Sequence, residues 1–232
     1  MVDCWAYKDE KSSETYEKHI LDIAKYMEES NYFNGLVRVL SKRLNVDQDE
    51  IHDLVLLAGV LHDIGKIDVT YQRNPNRFSG HEIKSAGIIS YASKIPENLF
   101  DPSDSEPVTK ELLISIIIIR PVGFHHYAQR DYTKICKNLK SSFIPYDSCI
   151  ECVKGVNDEV KNRFIRSKLG KEIIDKITNI ISKKNKLDLY LPIEFCSNDF
   201  SYRYYRFVSS AILSILNEAD GTVARINREA KQ

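Results

Sequence analysis

The chain has 232 residues, with 33 basic side chains against 33 acidic ones, so its formal charge is zero. That length suffices for one large domain with its own core, and a neutral total neither demands nor excludes a polyanionic partner. The five cysteines, at 4, 136, 149, 152 and 196, are odd in number and unevenly spaced, which predicts free thiols in a reducing cytoplasm. Cys149 and Cys152 form a CxxC, but no second CxxC or spaced histidine accompanies it. No signal peptide opens the sequence. The longest aliphatic run, Leu112 to Ile119, broken only by Ser115, is too short to span a bilayer and reads as a buried helix.

In chain order the pattern is helical. Glu14 to Glu29 places Tyr16, Ile20, Ile23, Ala24 and Met27 on one face, with His19 on its flank. A second helix over Phe33 to Leu44 buries Leu36, Val37 and Leu40. The third opens on Asp47 as cap, with Glu50 three residues on and Val46 and Ile51 placed as a staple, and runs to His62. After Gly65 the periodicity fails, and Thr70 to Gly80 reads as a loop made basic by Arg73 and Arg77. Ser79 caps a further helix with Glu82 completing the box. Thr109 or a neighbour starts the aliphatic helix, which Pro121 interrupts just before His125 and His126.

From Asp131 to Leu191 the signals are mixed. A short hairpin around Phe143 to Val153 and a helix from Asp158 to Ile181 are the expected elements. Between Lys161 and Lys186 there are nine basic residues and two acidic ones, whereas residues 1 to 60 carry seven basic and twelve acidic. A neutral total therefore hides a polarised chain, and this stretch is either a polyanion-binding surface or an ordinary solvated face. A last helix from Ser201 to Asn227 carries Tyr204, Phe207, Val208, Ala211, Ile215 and Ala219, and places Asp220 in its C-terminal half.

The chemistry centres on Leu56 to Ile67, LLAGVLHDIGKI. Adjacent His62 and Asp63 can present an imidazole nitrogen and a carboxylate oxygen to one divalent metal or to two neighbouring ones. Asp63 follows a long apolar run, so it lies at the rim of the core, where an uncompensated carboxylate is costly and a metal or a basic partner is expected. Lys66 lies close to both on a continued turn. It either neutralises Asp63 in a metal-free protein or holds a phosphate beside a metal. His52 reads as a packing or surface histidine.

An HD pair with Lys66, a histidine upstream, a histidine downstream and a distant aspartate resembles the HD phosphohydrolase superfamily. The GHE at 80–82, the HH at 125–126 and the AD at 219–220 further resemble the stand-alone HD nucleases of type I CRISPR interference systems. That resemblance implies an all-α orthogonal helical bundle with room for a small β-hairpin or irregular insertion. It also implies a single nuclease domain over 1–232 with a variable basic insertion at about 131–198. Carried over, His62, Asp63 and Asp220 hold a first metal with help from His19. His81, His125 and His126 hold a second, Asp63 bridges, and Lys66 assists catalysis. Two divalent ions about 4 Å apart can activate a hydroxide, polarise a phosphodiester and stabilise the departing oxyanion. Mixed His/Asp ligands suit Mn2+, Co2+, Ni2+ or Fe2+ better than the all-oxygen shell that Mg2+ prefers.

The favoured substrate is single-stranded DNA, with RNA or duplex as further candidates. It would be delivered in the cytoplasm by a separate DExD/H helicase within an RNA-guided complex, since the chain carries no P-loop. Arg73, Arg77, Lys168, Lys171, Lys176, Arg203 and Arg206 are the expected phosphate contacts, the last two within a cluster of tyrosines (202, 204, 205) able to stack on bases. Two alternatives stand beside this. One is an HD-family nucleotide phosphohydrolase, a monophosphatase or a cyclic nucleotide phosphodiesterase. The other is a non-catalytic helical scaffold with a structural metal.

Overall fold

The computed structural model describes residues 4–75, 79–96, 109–126, 139–191 and 203–229. Two short strands open the chain as an antiparallel ribbon, β1 (Trp5–Lys8) and β2 (Ser13–Thr15). Helices α1 (Tyr16–Glu29), α2 (Asn31–Leu44) and α3 (Gln48–Leu61) follow, then a 3-10 turn (Ile64–Ile67) and a short α4 (Val69–Gln72). Next come α5 (His81–Ser93) and α6 (Lys110–Ile114), a π turn (Ser115–Ile119) and α7 (Arg120–Phe124). The chain continues through β3 (Lys140–Phe143), α8 (Asp147–Arg163), α9 (Lys168–Ser182), β4 (Leu187–Tyr190) and α10 (Arg203–Glu229). The fold is an all-α bundle with, among the described residues, two small antiparallel ribbons.

The bundle is built round α3. Every residue from Ile51 to Leu61 is buried, as a helix apolar on all sides must be. α1, α2, α9, α10 and the π turn surround it. Asp47 caps its start, accepting from the amides of Asp49 and Glu50 at 2.8 and 3.2 Å, as expected from the sequence. His52, on its first turns, is buried and lies between Glu28 Oε1 at 2.7 Å and Asp53 Oδ1 at 2.9 Å. Asp53 in turn accepts from the Ser167 amide at 2.6 Å. One buried carboxylate thus ties α3 to the start of α9.

Several expectations change. The first helix starts at Tyr16, because Thr15 is its cap and Glu14 belongs to β2. Ser79 is not the cap of α5. That place falls to Gly80 at φ +90, a conformation that glycine adopts without a Cβ clash. Pro121 does not interrupt the aliphatic helix. The π turn shifts the hydrogen bonding, so that the Arg120 amide donates to Ser115 O, and the next carbonyl, Ile116 O, would face the missing proline N–H. Ser209 Oγ of α10 donates to that carbonyl at 2.7 Å, so the helix runs on to the histidine pair.

The hairpin expected at 143–153 does not form. β3 pairs instead with β4, Lys140 opposite Tyr190 and Phe143 opposite Leu187. Cys149, Ile150, Val153, Val156 and Val160 are the buried face of α8, a helical spacing rather than an alternating one. The single helix expected over 158–181 is two, broken where Ser167 caps α9. Cys4 and Cys149 are not free thiols: they form a disulfide that fastens the chain's start to α8. Cys152 is free, and burial pushes its thiol up to about 11. Among the described residues no helix is long and apolar enough to cross a membrane.

Gly65 allows the 3-10 turn to lie against α5. A Cβ there would meet the His81 carbonyl and, at 2.8 Å, the Ser85 amide, both backbone groups that cannot step aside. Gly65→Ala is therefore expected to destabilise the protein by about 1–3 kcal/mol, the usual range for overpacking. At Gly59 the new methyl would meet chiefly the flexible Met27 thioether, and Gly59→Ala should cost less. Urea denaturation of the two variants tests the ranking, and an equal or reversed loss would contradict it.

Candidate metal centre

Five segments far apart in sequence converge on the end of α3. His62 follows the last residue of α3, and Asp63 begins the 3-10 turn. α1 brings His19, α10 brings Asp220, α5 brings His81 as its first residue, and the end of α7 brings His125 and His126. Each imidazole is aimed by its own local bond. His62 Nδ1 donates to Gly59 O at 2.7 Å and His125 Nδ1 to Val122 O at 2.5 Å, which leaves both Nε2 atoms facing inward.

Asp63 has no solvent exposure, and its two oxygens face different groups. Oδ2 lies 3.3 Å from His19 Nε2, 3.3 Å from His62 Nε2 and 2.6 Å from Lys66 Nζ. Asp220 Oδ1 closes that side at 3.3 Å from His19 Nε2 and 3.7 Å from His62 Nε2. Oδ1 of Asp63 lies 2.9 Å from His81 Nε2 and 3.9 Å from His125 Nε2. His81 and His125 approach within 3.2 Å through their Nε2 atoms, and the His126 ring centroid lies 5.0 Å from that of His81. Both rings of the HH pair thus face the centre.

Two groups have the spacing to hold a metal ion: His19, His62 and Asp63 on one side, and His81, His125 and His126 on the other. His19 Nε2, His62 Nε2 and Asp63 Oδ1 are buried with no hydrogen bond of adequate geometry. Three inward-pointing polar atoms left in this way are costly unless something coordinates them, so the residues fit divalent ions.

The two sides differ in charge. Burial alone would lower His19 and His62, but carboxylates win on that side. Asp220, Asp63 and Glu14 hold His19 well above its usual value, and Asp63 and Asp220 raise His62 to about 9. Burial likewise opposes ionisation of Asp63, yet His62 and Lys66 hold its carboxyl well below the usual range. On the other side burial and neighbouring histidines act together, driving His125 well below its ordinary value and His126 to about 4. Those imidazoles are neutral near pH 7, with electron pairs ready for a cation.

The proposed nucleic-acid contacts lie elsewhere. Arg73 is exposed at the end of α4, and Lys168, Lys171 and Lys176 are exposed on α9. Arg206 is half-buried on α10. Arg77, Tyr202 and the side chains of Arg203 and Tyr204 lie outside the described residues. Much of the basic stretch is locally neutralised: Lys161 faces Asp175, Arg166 faces Glu28, Lys184 faces Asp147 and Lys186 faces Asp188. Sequence reasoning missed Glu14, whose Oε1 lies 2.8 Å from His19 Nδ1. Nothing in the residue pattern marks it, because the pairing arises where a strand turns into a helix.

Residues 17–118 match the family model for the HD domain. That match supports the HD phosphohydrolase superfamily and points to a metal-dependent hydrolase. The matched segment contains His19, His62, Asp63 and His81. His125, His126 and Asp220 lie beyond it, and the fold brings them to the same place. No curated protein matches the chain.

The raised His62 gives a pH dependence with a definite sign. Its contribution to stability is complete below its unfolded value of 6.5 and is lost as pH rises through about 9. The chelated protein is expected to lose thermal stability across that window. With Mn2+ present the loss should shrink or vanish, because the cation then takes the proton's place. Scanning calorimetry with and without chelator checks this; identical profiles would contradict it.

Proposed function

We propose that the chain is a metal-dependent nuclease that hydrolyses phosphodiester bonds of nucleic acid. Single-stranded DNA is the main substrate and RNA a further one. In this reading it is the stand-alone HD nuclease of a type I CRISPR interference system, working beside a separate DExD/H helicase. The observation that carries the reading is Asp63, with one ligand cluster at each of its oxygens, an arrangement suited to two-ion phosphodiester hydrolysis. Divalent ions held by these clusters supply Lewis-acid activation of the phosphodiester and of the attacking water.

The chain's own residues do the rest. His19, His62 and Asp220 define one side of the cleft and His81, His125 and His126 the other. Asp220, with its side chain 23% exposed, and Lys66, at 12%, stand at the solvent edge. Substrate enters there, and the Lys66 ammonium holds a phosphate oxygen beside Asp63. No protein nucleophile is needed. The exposed Lys168, Lys171 and Lys176, with Arg73, guide the strand toward the cleft.

With Mn2+ the protein is expected to cut circular single-stranded DNA, which has no ends, faster than it releases phosphate from mononucleotides. The reverse preference would favour the nucleotide phosphohydrolase reading. Lys66→Ala should lower turnover by about 100- to 1,000-fold, the scale of losing one charge-stabilising donor, and Lys66→Arg should lower it less. Equal rates for all three proteins would remove Lys66 from the mechanism.

Delivery is tested separately. Reversing Lys168, Lys171 and Lys176 to Glu should weaken DNA binding and reduce its salt dependence by roughly two in the log–log slope, as expected for three lost phosphate contacts on a single strand. Hydrolysis of a small activated phosphodiester should be spared. Unchanged DNA binding would make this face ordinary solvated surface.

A further inference from the structure

We propose that Glu14 is a positioning residue of the His19 side of the metal centre, which makes the N-terminal ribbon part of that centre. The inference rests on reading the centre as a metal site. It concerns a residue of β2 that lies outside both ligand clusters.

Glu14 is buried, and a carboxylate there is costly without partners. Its partners come from two ends of the chain. Oε1 lies 2.8 Å from His19 Nδ1 and accepts from Asn227 Nδ2 at 2.8 Å. Arg228 Nε stands 3.7 Å from Oε2, with its guanidinium over the Tyr7 ring at 4.0 Å. α10, which carries Asp220 into the centre, therefore also holds Glu14 from its far end.

The consequence for His19 is chemical. With Nδ1–H donating to a carboxylate, that proton is fixed and Nε2 is turned toward Asp63 and Asp220, where it shares either a proton or a cation with them. A carboxylate partner also makes a ligating imidazole more basic than a carbonyl partner does. His62 and His125 lean on the carbonyls of Gly59 and Val122. His19 thus has the stronger orienting partner of the three. The ribbon that supplies it is anchored one residue before β1 by the disulfide from Cys4 to Cys149, and the Tyr16 amide donates to Cys4 O at 2.8 Å.

The test is Mn2+ titration by calorimetry of the wild type, Glu14→Ala and Glu14→Gln. Partners of this kind are typically worth 10- to 100-fold in metal affinity. Glu14→Ala is expected to weaken one binding event by about that factor and leave the other unchanged. Glu14→Gln, which keeps an acceptor in place, should lose less. Nitrogen-15 shifts of the His19 ring in Zn2+-loaded protein should move between the wild type and Glu14→Ala, because the Nδ1–H loses its carboxylate acceptor. Asn227→Ala, which removes the amide that holds Glu14 along with its bonds to Asp22 and Lys18 but leaves the Glu14 carboxylate in place, should give a smaller loss at the same site and guards against a misfolded Glu14 variant. Two events of unchanged affinity in Glu14→Ala, with the His19 shifts unmoved, would overturn this proposal alone. A wild type that binds no ion would overturn the metal reading itself, and this proposal with it.

Discussion

The structure depends on the compensation of one buried charge. Asp63 sits at 0% exposure, and a lone carboxylate in such surroundings would neutralise itself or unfold its environment. Here it is held ionised by His62 and Lys66, with His19 and His81 completing the ring of donors. The histidines among those donors, with Asp63 itself, have the spacing to hold a metal ion. In the absence of a cation the site is a proton-bearing ion cluster, and with one it is a coordination sphere. The asymmetry between the two sides follows from what surrounds each. Carboxylates crowd His19 and His62, whereas imidazoles crowd His125.

The rest of the fold serves this cluster by bringing remote segments within a few ångströms. The fully buried α3 fixes the height of the HD pair in the core. Gly65 lets the following turn touch α5, and so sets His81 against Asp63 Oδ1. The π turn and the Ser209 bond carry a proline-containing helix far enough to deliver both His125 and His126. α10 then crosses the cleft with Asp220 in the middle and Asn227 at its end.

Much of this was legible from the residues. The HD pair after an apolar run announced a compensated carboxylate, and helical spacing announced α1, α2 and α3. What was not legible came from contacts between distant residues. The partner of β3 is β4, more than forty positions on, so a local hairpin seemed the natural choice. The disulfide from Cys4 to Cys149 spans 145 positions, and no spacing rule reaches that far. Pro121 read as a break because the hydroxyl that replaces its missing bond lies on α10. Glu14 read as the first turn of a helix because its role depends on Asn227 at the other end of the chain. The basic stretch was visible as a count, but only the fold shows how much of it faces carboxylates.

The central claim is that Asp63 stands between two coordination sites. Anomalous diffraction from crystals soaked in Mn2+ tests it most directly. The account predicts two peaks, one beside Asp63 Oδ2 with His19, His62 and Asp220, and one beside Oδ1 with His81, His125 and His126. No peak at Asp63, with the carboxylate still held by Lys66 and the histidines around it, would contradict it.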